Sequence, residues 1–310
     1  MFKKGNAAGR GTGGTLLRRP IRRCWTVFVL PTAAAFAVGF LWPFLQGIYL
    51  SFCSFVTTGD AKWIGLGNYI SAFRDRGFVY SFWYTALFAV VSLVIVNLLA
   101  FAVAYVLTQG IRGGNLFRTV FFMPNLIGGI VLGYIWSILF DGVLRWYNTS
   151  ILLETRYGFW GLVILVCWQQ VGYMMIIYIA GLQGVPEDML EAARIDGASS
   201  WQTLRRVTIP NLMPAITICT FLSLTNGFKL FDQNLALTGG APFQFKTGAD
   251  GSLSTIRTTE MLALNIYNTF YGQSSAARGT AQAKAVLFFL LVATISIAQL
   301  RSTKSKEVQQ

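Results

Sequence analysis

Six long apolar runs alternate with shorter polar segments along the chain. Each run is long enough to cross the hydrocarbon core of a membrane, about 30 Å, as a helix rising about 1.5 Å per residue. We predict spans at residues 24–50, 81–108, 116–140, 159–181, 213–237 and 281–300. Pro31 and Pro43 are expected to interrupt the first span. The pattern predicts an all-α polytopic membrane protein with six transmembrane helices.

One long segment, from Gly184 to Pro214, mixes polar and apolar residues instead. Pro186 suits a first helical turn, and the acidic residues after it suit the positive end of a helix dipole. Gly197 is expected to end this short helix, because glycine adopts positive φ readily. A second amphipathic helix is predicted to follow and to end at Pro210. The segment is thus predicted to be a helix-turn-helix on a membrane surface, between two spans.

This segment resembles the cytoplasmic "EAA" loop of ABC importer permeases. The resemblance rests on Glu191-Ala192-Ala193, Gly197 and Val207-x-Ile209-Pro210, although the family has Ile and Leu in place of Val207 and Ile209. It implies that the short helix sits in a groove on a separate ATPase subunit and passes the closure of that subunit to the spans. The implied coupling residues are Glu191, Ala192, Ala193, Asp196 and Gly197. On periodicity alone, an interfacial amphipathic connector remains the alternative.

The resemblance also implies a set of partners. These are a second homologous permease, two ATPase subunits that bind ATP and Mg, and an extracytoplasmic binding protein that delivers a sugar. The chain itself has no histidine and no Gly-x-x-x-x-Gly-Lys-Ser/Thr sequence for binding phosphates. Its four cysteines show no paired spacing. We therefore expect this chain to bind no cofactor or metal and to have no enzymatic activity.

Composition agrees with a membrane protein, because 54% of the residues are hydrophobic and 12% are charged, with a mean hydropathy of +0.54. The formal charge is +13, and the lipid bilayer rather than nucleic acid is the expected partner. Residues 1–23 contain basic residues but no acid, which predicts a cytoplasmic N-terminus, and six spans then put the C-terminus on the same side. The family resemblance implies a bacterial or archaeal plasma membrane. The predicted organisation is a basic tail (1–23), a first span with an outer loop (24–80), a permease core (81–301) containing the coupling loop (184–211), and a second tail (302–310).

Polar side chains inside spans are costly, and two groups here repeat at helical spacing. They are Gln169, Gln170 and Tyr173 in the fourth span, and Ser223, Asn226, Gly227 and Leu230 in the fifth. Amides, hydroxyls and aromatic faces suit an uncharged, polyhydroxylated substrate. The same groups can also simply hold helices together.

In maltose-type permeases the sugar site lies midway through the membrane. Counting from Glu191, the resemblance places that site on the seven residues just named. It adds Asn125 and Gly129, which follow a break at Met123-Pro124 in the third span.

We therefore predict the permease subunit of an ABC importer for a sugar, with an oligosaccharide the favoured class. It would work by alternating access with its partner permease. Lys229 and Asp232 are expected to form a structural i, i+3 pair, although they could also serve a phosphate-bearing substrate. The alternatives are a glycerol-phosphate permease of the same family, an ATPase-independent secondary transporter or channel, and a membrane-bound enzyme, which the absence of histidine disfavours.

Overall fold

The structure, a computed structural model, describes residue 27 and residues 29–247 and 253–304. The helices are α1 (Val29–Ser51), α2 (Gly67–Arg74), α3 (Arg76–Leu107), α4 (Gly114–Phe122), α5 (Gly129–Leu144), α6 (Thr155–Gln183), α7 (Glu187–Ile195), α8 (Ser200–Asn211), α9 (Met213–Phe228), α10 (Asp232–Leu237), α11 (Leu262–Gly272) and α12 (Arg278–Lys304). The fold is all-α, as predicted. The predicted tail 1–23 and residues 305–310 of the second tail lie outside the described residues.

The six predicted apolar runs correspond to helices long enough to span a membrane. Within the described residues, five single helices meet this condition: α1, α3, α6, α12, and α5 when it is counted together with the 3₁₀ turn that extends it to Tyr147. The sixth span requires α8 and α9 together, which are bent by 70° at Leu212. Pro210 lies in the last turn of α8, so the predicted end is displaced by one residue. Six spans are confirmed when this bent pair counts as one span.

The prediction that Pro31 and Pro43 interrupt the first span is wrong, because α1 runs through both. Pro43 is preceded by a π-helical turn at Ala37–Leu41, in which the N–H of Trp42 donates to the carbonyl of Ala37. Such a wide turn accommodates a proline, which has no N–H to donate, and relieves the clash of the proline ring with the carbonyl of the preceding turn. The helix therefore continues to Ser51.

The third and fifth predicted spans are both more broken than expected. The third is divided into α4, a 3₁₀ turn at Met123–Leu126, and α5, which continues to Leu144 rather than ending near residue 140. The fifth was predicted to run to residue 237, but α9 ends at Phe228, and α10 begins only at Asp232. Both breaks open towards the same cavity, which is described below.

The centre of the protein is formed by α3, α6 and α9, which pack against one another. Phe88 and Ala100 of α3, Leu165 and Met174 of α6, and Cys219 of α9 are fully buried there. Around this centre, α12 packs on α1, α9 and α11, α4 packs on α6, and α10 packs on α5. The polar breaks are thus held against a rigid apolar core.

Gly172 of α6 permits the closest helix approach in the described part of the chain. A Cβ atom at this position would lie 1.8 Å from the carbonyl oxygen of Phe121 in α4. We expect Gly172→Ala to force α4 away from α6 and to destabilise the protein by about 1–3 kcal/mol, the usual cost of overpacking. Thermal unfolding in detergent measures this loss. Gly142→Ala is the matched control, because a Cβ there meets nothing within 4 Å; equal stability of the two variants would contradict the prediction.

Within the residues that the structure describes, two connections contain small antiparallel hairpins that the sequence pattern did not predict. One pairs β1 (Cys53–Ser54) with β2 (Lys62–Trp63), and the other pairs β3 (Phe243–Thr247) with β4 (Leu253–Arg257). The second of these connections also holds the short helix α11. The predicted outer loop 51–80 is partly helical, because it holds α2 and the first turn of α3.

Candidate substrate cavity and coupling segment

A cavity of about 320 Å³ lies where α9 ends. The N–H of Lys229 bonds to the carbonyl of Thr225, which closes the last turn of α9. The chain then turns at Leu230 and Phe231 before α10 begins. The lining consists of Asn125, Gln169, Gln170, Asn226, Lys229, Leu230, Phe231, Asp232 and Gln233. Five of the nine residues that the resemblance placed in the sugar site are therefore brought together: Asn125, Gln169, Gln170, Asn226 and Leu230.

Gln169 connects three elements of the cavity wall. Its Nε2 donates to the carbonyl of Ile127 at 3.2 Å, and its Oε1 accepts from Nε2 of Gln233 at 2.7 Å. With only 8% of its surface exposed, Gln169 holds α6, α10 and the turn after Pro124 in register. A buried amide satisfied on both sides fixes the shape of a site.

Three other amides of the cavity are free to bind a ligand. Within the described part of the chain, the side chains of Asn125, Gln170 and Asn226 form no hydrogen bond to protein. Each amide can donate and accept at once, which matches the hydroxyl groups of a sugar. Leu230 and Phe231 add an apolar surface beside them.

Close packing of α10 on α5 shapes one wall of the cavity. A Cβ on Gly129 would lie 2.7 Å from Cβ of Asp232, and a Cβ on Gly133 would lie 2.5 Å from Cβ of Ala236. Gly129, which the resemblance placed in the sugar site, therefore packs against α10 and does not line the cavity. Any larger residue at these two positions would displace α10 and Gln233.

Ser223, Gly227 and Tyr173 are not brought to the cavity. Ser223 is buried and accepts a hydrogen bond at 3.0 Å from Asn97 of α3, which in turn accepts one from Tyr178. A Cβ on Gly227 would lie 3.0 Å from Cα of Ala89, so this glycine lets α9 approach α3. Tyr173 packs against the apolar core. These three positions hold helices together in this structure.

The predicted pair of Lys229 and Asp232 is wrong. Within the described residues these two side chains form no ion pair, and both are exposed at the cavity. The i, i+3 relation fails because α9 ends at Phe228 and Asp232 begins another helix. A cation and an anion therefore face the cavity separately.

Sequence reasoning missed Phe231 and Gln233 as cavity residues. The sequence did contain a signal for these two residues. The stretch predicted as a continuous fifth span includes four polar residues close together: Lys229, Asp232, Gln233 and Asn234. Such a polar group at membrane depth is tolerated only where the backbone breaks and lines a protein-enclosed or water-filled space.

The predicted helix-turn-helix is present as α7 and α8. Gly197 between them has φ of +74°, its N–H bonds to the carbonyl of Arg194, and the N–H of Ala198 bonds to the carbonyl of Ala193. These two bonds form a Schellman motif, which needs a positive φ at the glycine. Ser199 and Gln202 then form a reciprocal capping box at the start of α8. These hydrogen bonds therefore fix the backbone conformation of the turn between α7 and α8.

The surface of this segment is unusually apolar for a connection. Glu191, Ala192, Asp196 and Gly197 are exposed, and Ala193 is partly buried. Ile195 is 85% exposed, Trp201 66% and Met189 45%. The segment follows directly after α6, whose Gln169 lies 14 residues before the end of the helix, or roughly 21 Å away along its axis.

The described residues contain no group of three or more potential metal ligands. Three cysteines, Cys53, Cys167 and Cys219, are buried and unpaired. The cavity lining itself offers amides, apolar side chains and the charged groups of Lys229 and Asp232.

Residues 109–305 match the family described as "Binding-protein-dependent transport system inner membrane component". A probable starch degradation products transport system permease protein, AmyD of Thermoanaerobacterium thermosulfurigenes, is 41% identical over 291 residues, which cover 91% of this chain and 94% of that protein. The chain belongs to this family. It is thus an integral membrane component of a transport system.

Two further comparisons extend over nearly all of the chain. The multiple sugar-binding transport system permease protein MsmF of Streptococcus mutans is 29% identical over 92% of this chain and 96% of that protein. The crystal structure of a bacterial ABC transporter involved in the import of the polysaccharide alginate superposes with a TM-score of 0.75. It covers 93% of this chain and 98% of that chain at 18% identity, which establishes the likeness of fold.

Proposed function

We propose that this permease is the membrane subunit of an ATP-driven importer that takes up a sugar, with an oligosaccharide the favoured class. The observation that carries the proposal is the cavity, in which three free amides stand beside an apolar wall at the break after α9. Two relatives whose names refer to starch degradation products and multiple sugars support it.

The cavity suits alternating access with a second permease. Asn125, Gln170 and Asn226 would exchange hydrogen bonds with sugar hydroxyls, while Leu230 and Phe231 contact the C–H faces of the sugar ring. Because the cavity is open on one side, the partner permease would complete it. An extracytoplasmic binding protein would deliver the sugar, and two ATPase subunits would bind the ATP and Mg.

Orientation follows from the same proposal. With both termini cytoplasmic, α7 and α8 face the cytoplasm, where an ATPase can reach them. The two hairpins and α11 then lie on the outer side. The membrane would be the plasma membrane of a bacterium or archaeon.

The test is purification of the tagged chain in mild detergent, followed by an ATPase assay with the co-encoded binding protein and a panel of sugars. We expect a second permease and an ATPase to co-purify, and hydrolysis to rise only when binding protein and one sugar are both present. Asn226→Leu should reduce sugar uptake. Asn115→Leu, an exposed amide of α4 outside the cavity, should not. A chain that purifies without an ATPase, under conditions that preserve other such complexes, would contradict the proposal.

A glycerol-phosphate permease of the same family is the second candidate, favoured by Lys229 at the cavity. Asp232 lines the same cavity and offsets its charge, which favours a neutral substrate. Competition separates the two, because strong inhibition of uptake by glycerol 3-phosphate, and none by sugars, would select the second candidate.

A further inference from the structure

A continuous row of three aromatic rings leads away from the cavity. Phe231 lines the cavity itself. Its ring centroid lies 5.3 Å from that of Tyr267 in α11, which lies 4.8 Å from that of Tyr271, one helical turn further on. We call Phe231, Tyr267 and Tyr271 the aromatic row.

The aromatic row occupies the open face of α11. Tyr267 is 41% exposed and Tyr271 69%. The opposite face of the helix is buried, because Asn265 and Thr269 both accept hydrogen bonds from Lys284 of α12. The row therefore faces away from the packed side of the bundle.

The surroundings of the row indicate an aqueous path rather than lipid. Lys229 and Asp232 are exposed on either side of Phe231 in the sequence, and both line the same cavity. Charged side chains in a membrane protein normally face the protein interior or a water-filled space. The rings that continue from them thus belong to the route by which a solute enters.

We propose that the aromatic row is a carbohydrate subsite, on which the sugar units beyond those held in the cavity rest as an oligosaccharide enters. This inference depends on the proposed sugar import. A pyranose ring presents a flat C–H face that suits an aromatic face. The hydroxyls of Tyr267 and Tyr271, which form no hydrogen bond within the described part of the chain, can bind sugar hydroxyls. Contacts of this kind tolerate sliding, because every unit of the sugar offers a similar face.

The aromatic row makes transport depend on chain length. A disaccharide can be held by the cavity amides and needs little from α11. A longer oligosaccharide extends past Phe231 and covers Tyr267 and then Tyr271. Removal of these rings should therefore penalise long sugars selectively.

The experiment measures uptake of malto-oligosaccharides, from maltose to maltoheptaose, by the assembled transporter in proteoliposomes with saturating sugar-loaded binding protein. We expect Tyr267→Ala and Tyr271→Ala each to reduce maltoheptaose uptake by about five-fold, the scale of one lost aromatic contact, and maltose uptake by less than about two-fold. Tyr267→Phe and Tyr271→Phe keep the ring and should retain most of the maltoheptaose uptake. Tyr147→Ala, an exposed tyrosine beyond the end of α5, should change neither.

The outcomes separate the two proposals. Equal losses of maltose and maltoheptaose uptake in the alanine variants, or unchanged uptake of both sugars, would overturn the proposed role of the aromatic row. Neither result would contradict sugar import. A wild-type transporter that takes up neither these sugars nor any other sugar of the ATPase panel would overturn both.

Discussion

Gly197→Pro is expected to abolish ATP-driven uptake while the permease still inserts into the membrane. Gly197 has φ of +74°, whereas proline is fixed near −65° and has no N–H to donate to Arg194. Proline at a position with an incompatible backbone conformation costs about 3 kcal/mol or more of stability. The distortion is confined to the exposed turn between α7 and α8. Uptake in proteoliposomes and co-purification of the ATPase measure the effect.

Gly197→Asn is the matched control for this experiment. Asparagine tolerates the left-handed conformation better than other residues with a side chain, and it keeps the N–H that completes the Schellman motif. It should therefore retain most of the uptake. A size-exclusion profile that matches the wild-type profile shows that the proline variant is inserted and folded.

Glu191→Lys tests the same surface without changing the backbone. Glu191 is exposed in the middle of α7, so lysine fits there without strain, and any loss of uptake must come from contact with a partner. The exposed apolar side chains of Met189, Ile195 and Trp201 show why a partner is expected, since such patches on proteins mark interaction sites. Glu191→Lys is therefore also expected to abolish uptake, and normal uptake by either Gly197→Pro or Glu191→Lys would remove the coupling assignment.

The membrane-spanning architecture could be predicted because lipid imposes a simple rule on composition. A span of about 20 residues must be apolar and helical, so long apolar runs predict their own structure. The segment from Pro186 to Pro210 could be predicted for a different reason, because capping residues and a turn glycine act locally. The sequence pattern did not predict the hairpins β1–β2 and β3–β4, whose strands are short and pack on helices distant in the sequence, β1 on α12 and β4 on α3.

The cavity was only half predictable for the same physical reason. Helical spacing puts Ser223, Asn226 and Gly227 near one another, but it does not say which neighbour each will meet. In the structure Ser223 and Gly227 contact α3, whereas Asn226 lines the cavity. Leu230 and Asp232 were assigned by extending α9 beyond Phe228, where the helix ends. The point at which α9 ends determines which residues line the cavity, and tertiary packing determines that point.

A buried charge network on the last span was not predicted at all. Lys284 of α12 is fully buried, and its Nζ donates to Oδ2 of Asp75 at 2.6 Å, Oδ1 of Asn265 at 3.0 Å and Oγ1 of Thr269 at 2.8 Å. Asp75 also caps α3 by accepting from the N–H of Gly77. The network thus ties α3, α11 and α12 together.

Glu260, in the connection before α11, extends the network. Its carboxylate accepts hydrogen bonds from Asn265 and Asn268. Burial raises the pKa of Glu260, while the hydrogen bonds from Asn268 and Asn265 oppose this shift. Asn265 therefore bridges a buried cation and a buried carboxyl group, which fixes the back of the helix that carries Tyr267 and Tyr271.

Lys284→Met is expected to be the most destabilising single change proposed for this permease. It removes the positive charge and all three hydrogen bonds, and it leaves Asp75 partly buried without its counter-ion. Breaking a buried pair from one side costs about 3–5 kcal/mol, and the loss should lie near the lower end of that range because 32% of the Asp75 side chain is exposed. We therefore expect a large fall in the temperature of unfolding in detergent, and uptake should fall with the amount of folded protein.

The double variant Lys284→Met/Asp75→Asn distinguishes the ion pair from simple packing. Asparagine keeps an oxygen that can cap α3 but needs no counter-ion, so the double variant should recover part of the stability that Lys284→Met loses, as a double-mutant cycle reveals. If the two changes were merely additive, Lys284 would be acting through its volume and its bonds to α11 alone. Recovery would instead show that one charge pair holds the first turn of α3 against α12, and that this pair sets the position from which α11 presents its aromatic rings.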